Sequence, residues 1–324
     1  MRNESRDLVV TVSDENRIDQ AKQLFESART AGRWGGAYML LGYRLSHRAS
    51  SWFSQRGILV RELDLPCPAE IYERINSGSR ASWVSSLKYH LFGPEFRSWG
   101  TITQLDTDVI VAGPLRRIVN VGRFAAVPEM SYRIRHQFAP DRESQEILGS
   151  SAFRNLPSFN FGVFSLRPSA LDSDIFDRLC EGSARLFPHA LYLEQSVANY
   201  VLADLWETLP LRLGYNPYVS NRFGIASPVI FHPHTVGELV YHFYGDDKPW
   251  RKGHPFEALW RANLSRAEKV GSFLPTEGFR CQRRNALSFL CLELVIHLKK
   301  FVRVVRRLIS DAAQKLDGSY RRIR

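Results

Sequence analysis

Three short aliphatic runs constrain this chain most: Leu8-Val9-Val10-Thr11-Val12, Ala37-Tyr38-Met39-Leu40-Leu41 and Ile58-Leu59-Val60-Arg61-Glu62-Leu63. Stretches with helical spacing separate them. A strand, a helical return and another strand pack as a βαβ unit, so such runs become neighbours in a mostly parallel sheet flanked by helices. The first run reads as a central strand. Ser13-Asp14-Glu15-Asn16 reads as a loop and helix N-cap, with a helix through about Arg29. A further helix is expected over residues 80–91. Residues 130–157, rich in Arg and Pro, read as a long irregular connection of the kind that serves as a binding loop or lid. A strand over 159–166 and helices over 171–186 and 193–202 follow.

Within this frame, Thr101-Ile102-Thr103-Gln104-Leu105 reads as a buried strand ending at Asp106-Thr107-Asp108. In open α/β sheets, ligands bind at the carboxyl ends of strands. On an ideal strand, residues i and i+2 share a face roughly 7 Å apart. Asp106 and Asp108 therefore reach one cation only if the backbone bends or a water intervenes. Far downstream comes Tyr241-His242-Phe243-Tyr244-Gly245-Asp246-Asp247-Lys248-Pro249-Trp250. Carboxylates, an imidazole and a lysine on a Gly-containing turn suit a divalent cation gripping a diphosphate. Oxygen ligands favour Mg²⁺ or Mn²⁺, and the imidazole tilts the choice to Mn²⁺. His232 and His234 lack partners at ligand spacing and read as loop residues.

The four cysteines, Cys67, Cys180, Cys281 and Cys291, show no paired spacing, which points to a reducing compartment and away from zinc. The polar N-terminus offers no apolar core of a secretory signal. No run of 18 apolar residues suggests a membrane span. The net charge of +11 is concentrated late: 12 Lys and Arg stand against 3 Asp and Glu from Arg280 to Arg324. Over residues 287–312, Leu294, Leu298, Phe301, Val305 and Leu308 fall on one helical face, and Lys299, Lys300, Arg303, Arg306 and Arg307 on the other. Such a helix suits an anionic membrane surface or docks on its own domain with the basic face solvated. No nucleic-acid-binding motif accompanies it, so no nucleic-acid partner is expected.

From Leu8 to Trp250 the chain resembles the retaining, nucleotide-sugar-dependent glycosyltransferases of family 8, which include glycogenin and bacterial lipopolysaccharide glycosyltransferases. The resemblance rests on Leu105-Asp106-Thr107-Asp108-Val109, on Phe159-Asn160-Phe161-Gly162-Val163, and on the segment from His242 through Gly245 and Lys248 to Trp250. It implies a GT-A fold: one α/β, Rossmann-like domain with a mixed central sheet over residues 1–255, followed here by a basic helical appendage over 256–324. It implies a UDP-sugar donor, with Val10, Thr11 and Val12 at the uridine. Asp106, Asp108 and His242 would hold Mn²⁺, with Mg²⁺ the alternative. Lys88, Thr107, Gly245 and Lys248 would contact the donor. Asn160 would lie near the sugar, and Glu194-Gln195 beside the anomeric carbon, where the family usually has Asp-Gln. The implied acceptor is a glycan or lipid-linked saccharide, in polysaccharide biosynthesis. The implied location is cytoplasmic, at most peripheral on a membrane's inner face.

Two rivals bear on this reading. A haloacid-dehalogenase-type phosphatase also has strand–Asp-x-Asp, but at its first strand and not near residue 106. A non-catalytic nucleotide-sugar-binding protein would share the fold, yet Asp106, Asp108, His242 and Lys248 are all present.

Overall fold

Strand β1 (Leu8–Asp14) lies inside the sheet with both of its faces covered. Leu8, Val10 and Val12 join one apolar cluster and Val9 the other, as expected of a strand with helices on both sides of the sheet. The structure is a computed structural model and describes residues 7–75, 82–118, 121–209, 240–246 and 248–273. Strand β1 pairs in parallel with β2 (Ala37–Tyr43) and β4 (Ile102–Leu105), and β2 with β3 (Leu59–Glu62).

The sheet then turns mixed. Strand β7 (Pro157–Leu166) is antiparallel both to β4 and to β6 (Phe124–Arg133), and β8 (Trp206–Thr208) closes that edge parallel to β6. Among the described residues the order is β3-β2-β1-β4-β7-β6-β8. Beside this sheet lies a ribbon of β5 (Val109–Val111) and β9 (Val240–His242).

Helix α1 (Ile18–Thr30) buries Ala21, Leu24, Phe25 and Ala28, the three- and four-residue spacing of one helical face. The same helix fastens the ribbon. Gln23 Nε2 donates to the Val109 carbonyl at 2.6 Å, and Ser27 Oγ accepts from Val111 N at 3.1 Å. Helix α2 (His47–Ser54), capped by Ser46, buries Ala49 and Phe53 in the same layer. A short helix α3 (Ala69–Glu73) follows β3. On the opposite face pack α6 (Ile175–Leu186) and α7 (Glu194–Val201).

Two expectations need correction. The helix expected over 80–91 is a 3-10 helix, Trp83–Phe92, in its described part. Ser86 Oγ donates to the Trp83 carbonyl at 2.7 Å, an i to i−3 bond that competes with α-helical pairing. Residues 130–157 are not one irregular loop. Strand β6 runs on to Arg133, and the helices α4 (Arg142–Glu146) and α5 (Ser151–Arg154) follow, capped by the Asp141 and Ser150 side chains. Short capped helices carry too few apolar positions to show a period.

The chain divides into two compact units, 1–275 and 276–324. The second lies outside the described residues, as do the basic stretch 287–312, His232, His234 and Asp247. Helix α8 (Glu257–Lys269) belongs to the first unit, with the Lys22 ammonium 2.7 Å from Glu268 Oε1. No described helix is long and apolar enough to cross a membrane.

Candidate active site

The backbone bends where one cation needs it to. After β4, Asp106 N donates to the Gly162 carbonyl at 2.8 Å, and Val109 N turns back to the Asp106 carbonyl at 3.0 Å. This tight turn ends β4 and starts β5, so the two aspartates are no longer on one extended strand. The β5–β9 register pairs Val109 with His242, and Phe243 N donates to the Asp108 carbonyl at 3.1 Å. Ile110, Tyr241, Phe243, Phe256 and Trp260 form an apolar cluster around the ribbon. One ligand atom each from Asp106, Asp108 and His242 lies within 4.8 Å of the others.

Lysines flank this triad on two sides. Lys248 Nζ contacts Asp108 Oδ2 at 2.5 Å and the Phe243 carbonyl at 2.8 Å. It follows Gly245, whose φ of +87° is the left-handed conformation that glycine adopts without strain. Lys88, buried on the 3-10 helix, reaches Asp106 Oδ1 at 2.8 Å, the Phe161 carbonyl at 3.1 Å and Glu194 Oε1 at 3.3 Å. An ammonium has three N–H donors, and these three oxygens match them.

Strand β7 sits between the triad and an amide-rich region. A Cβ on Gly162 would collide with His242 Cε1, Asp106 Oδ2 and Asn160 Oδ1, so only glycine lets these three groups converge. Asn160 Oδ1 accepts from Gly162 N at 2.9 Å. The Gln195 carboxamide comes next. Its Oε1 accepts from Phe161 N at 3.0 Å and from Asn160 Nδ2 at 3.3 Å. Its Nε2 donates to Gln137 Oε1 at 3.1 Å and Glu129 Oε1 at 3.3 Å. Asn199, one turn along α7, brackets Phe159 by donating to its carbonyl and accepting from its N–H. Leu193, just before α7, has φ +41°; such backbone in a non-glycine residue costs of order 1–3 kcal/mol. That strained turn presents Glu194 and Gln195 side by side.

No protein-family model matches the chain, and no curated protein matches it in sequence. Solved structures match it in fold. An active-site mutant of LgtC, with glutamine replaced by glutamate, superposes with TM-score 0.62 at 15% identity, covering 80% of this chain and 95% of that one. The galactosyltransferase LgtC in complex with donor and acceptor sugar analogues gives 0.58 at 16%, covering 84% and 98%. The glycosyltransferase GlyE of Streptococcus pneumoniae TIGR4 gives 0.56 at 18%, covering 85% and 66%. The chain has a GT-A glycosyltransferase fold.

In this GT-A fold the triad suits a hard divalent cation by three observations. Its donors are two carboxylates and an imidazole. The cradle at Gly162 would be filled by any larger residue. His242 Nε2 faces both carboxylates, 3.2 Å from Asp108 and 3.8 Å from Asp106, while Nδ1 is buried without a hydrogen-bond partner.

The electrostatics follow from burial and neighbours. Burial raises the Asp108 pKa, but His242 and Lys248 outweigh it and hold the group below the usual carboxylate range. Burial lifts Glu194 to about 7 against the opposing pull of Lys88. Burial also raises Glu129, against hydrogen bonds from Gln137, Gln195, Asn160 and Ser158 that favour its ionised form. Burial likewise disfavours the charged form of Lys88, yet Asp106 and Glu194 raise its pKa. Val10, Thr11 and Val12 are buried within β1, and Thr11 Oγ1 has no hydrogen-bond partner. Thr107 is buried in the turn between the aspartates.

Sequence reasoning missed Glu129, Gln137 and Asn199. Asn199 had a signal, its position four residues after Gln195 on one helix face. Glu129 and Gln137 had none, because a register break in β6 positions the first and a 3-10 turn the second.

Proposed function

We propose that this protein is a retaining glycosyltransferase that moves a hexose from a UDP-sugar to a glycan or lipid-linked saccharide. The observation that carries the reading is the convergence of Asp106, Asp108 and His242, with Lys248 on Asp108 and Lys88 on Asp106. The fold is one that, in LgtC, has been solved with donor and acceptor sugar analogues, and the family resemblance in sequence points the same way.

Held by Asp106, Asp108 and His242, Mn²⁺ would supply Lewis-acid neutralisation of the diphosphate. Lys248 adds a point charge on a turn where Gly245 leaves no side chain in the way, and it stabilises the charge that grows on the leaving group. Lys88 stays charged between its carboxylates and orients Asp106. Asn160 and Gln195 offer neutral amides near the sugar.

Retention requires either a nucleophile on the far face or attack from the near face. Retaining glycosidases use two carboxylates about 5 Å apart, one as nucleophile. Gln195 is a poor nucleophile, since its Oε1 already accepts two hydrogen bonds. Glu194 has one oxygen on Lys88. The step these residues favour is near-face attack by the acceptor hydroxyl on an ion-pair-like intermediate, with the departing diphosphate oxygen taking its proton. A sugar trapped covalently on Glu194 would sink this step.

The test is release of UDP from a panel of UDP-sugars with Mn²⁺, with EDTA, and with Asp108→Ala. Slow Mn²⁺-dependent release from one donor, lost in the variant, is expected and names the sugar. Binding of UDP with Mn²⁺ but no turnover, even with candidate acceptors, would favour a non-catalytic nucleotide-sugar-binding protein. Binding of neither overturns the reading.

A further inference from the structure

We propose that Glu129 is a positioning residue that holds the carboxamide of Gln195 in a single orientation through a three-membered hydrogen-bond ring with Gln137. The inference deepens the transferase reading and rests on it for the part that concerns turnover.

Donors and acceptors balance in only one way around this ring. Gln195 Oε1 is committed to a backbone donor, Phe161 N, at 3.0 Å. That contact fixes which end of the amide faces β7, so the NH2 group must face the other way, where it needs two acceptors. It finds Gln137 Oε1 at 3.1 Å and Glu129 Oε1 at 3.3 Å. Because Gln137 presents its oxygen to Gln195, its own NH2 faces Glu129 and donates to Oε2 at 2.7 Å. Ser158 Oγ, 3.3 Å from Gln137 Nε2 and 3.4 Å from Glu129 Oε2, accepts from the one and donates to the other. Every contact on Glu129 therefore requires an acceptor, and an ionised carboxylate is the side chain with two acceptor oxygens and no donor.

Local backbone brings Glu129 into the ring. The β6–β7 register shifts between Pro128 and Arg133, and Pro128 has no N–H to continue the ladder. Such breaks re-aim side chains. Gln137 arrives from the 3-10 turn Ile134–Gln137, and its carbonyl accepts from Ser196 Oγ on α7 at 2.7 Å. Three separate segments thus meet at one amide.

Reversing one member of the ring should frustrate the others. In Glu129→Gln the shape is kept, but one of the two oxygens becomes an NH2. If it meets Gln137, two NH2 groups oppose each other. If Gln137 flips to relieve this, its NH2 then opposes that of Gln195. No arrangement satisfies all three amides while Phe161 N keeps its partner. Adding Gln137→Glu restores the count, because the carboxylate then at position 137 accepts from the amides at positions 195 and 129.

The experiment compares the unmodified protein, Glu129→Gln, Gln137→Glu and the double variant. It reads donor turnover, with kcat and KM for the UDP-sugar determined separately, and the thermal midpoint. In Glu129→Gln, turnover should slow by about 10- to 100-fold while KM changes less than about threefold. In the double variant it should recover to within about fivefold. These ranges match the loss of one preorganised donor or its orientation. The midpoint should fall by about 3–6 °C in Glu129→Gln and recover in the double variant. Unchanged turnover in Glu129→Gln overturns the proposal, and so does a loss that the double variant fails to recover. If no protein of the four turns over a donor, the transferase reading fails by itself. The midpoints then decide the ring: recovery in the double variant supports it, and simply additive losses overturn it.

Discussion

The two sides of strand β7 solve the same problem, buried polar atoms, in opposite ways. On the triad side the groups are charged: Lys88 lies between Asp106 and Glu194, and Asp108 lies between His242 and Lys248. On the Gln195 side they are neutral amides, with Glu129 the single carboxylate in the ring. Charged clusters are held by Coulomb attraction and tolerate rearrangement when another ion enters, because charge interacts over distance. Amide rings are held by direction, and one reversed dipole breaks them. On the proposed reading, a multivalent anion with its cation would sit on the first side and a neutral hydroxylated ring on the second. The shared wall is Gly162.

The sharpest way to break this contrast is to remove a charge. Asp108→Ala leaves His242 and Lys248 without their shared partner. Metal-dependent UDP release should fall about 10²–10³-fold, the scale of losing one preorganised electrostatic contact, as measured by coupled detection of UDP. Next comes the wall. Gly162→Ala pushes into His242, Asp106 and Asn160 together. It should weaken Mn²⁺ binding by calorimetry at least about tenfold and cost about 1–3 kcal/mol in denaturant unfolding. A change confined to one side would show that the wall is not shared.

Smaller effects sharpen the neutral side. Asn199→Ala strands the Phe159 N–H and carbonyl in a buried site and should cost about 2 kcal/mol of stability. Metal affinity should change less than about twofold, since no charge is touched.

A pH dependence tests the junction between the two sides. Glu194 is raised by burial from 4.5 to about 7, so the folded state binds its proton more tightly than the unfolded chain. The stability this gives is complete below about pH 4.5 and is lost as pH rises through 7. In Glu194→Gln, which resembles the protonated acid, that loss is absent. The midpoint of the unmodified protein should therefore drop relative to the variant between about pH 4.5 and 7, and then run parallel to it. Parallel curves throughout would mean that Lys88 compensates the burial fully.

The charged side was largely legible in the sequence and the neutral side largely was not. Asp106-Thr107-Asp108 and the segment from His242 to Lys248 are contiguous, so each reads as a unit, and only the turn at Asp106 had to be supplied by the fold. The parallel strands β1, β2 and β3 follow from aliphatic runs with helices between them. The antiparallel entry of β7 leaves no such trace, since a single strand reads alike in either direction. The sequence reads a helix around Lys88, but Ser86 bonding back to Trp83 accompanies a tighter 3-10 coil that period counting does not distinguish over ten residues. The Gln195 ring draws on β6, β7, α7 and a 3-10 turn. Its decisive step is a register break at Pro128, which has consequences in three dimensions and no repeat in one.

The ribbon of β5 and β9 also sets a clock. Asp108 and Lys248 are 140 residues apart in the chain, and only three residues of each strand join their neighbourhoods. A contact that closes so long a loop forms late, because its entropy is lost before any compensating bond is made. The parallel strands β1, β2 and β3 can assemble while the aspartates still lack their histidine. During refolding, cation binding by this triad should therefore trail the assembly of β1, β2 and β3, and a bound ion would report that β9 has joined β5.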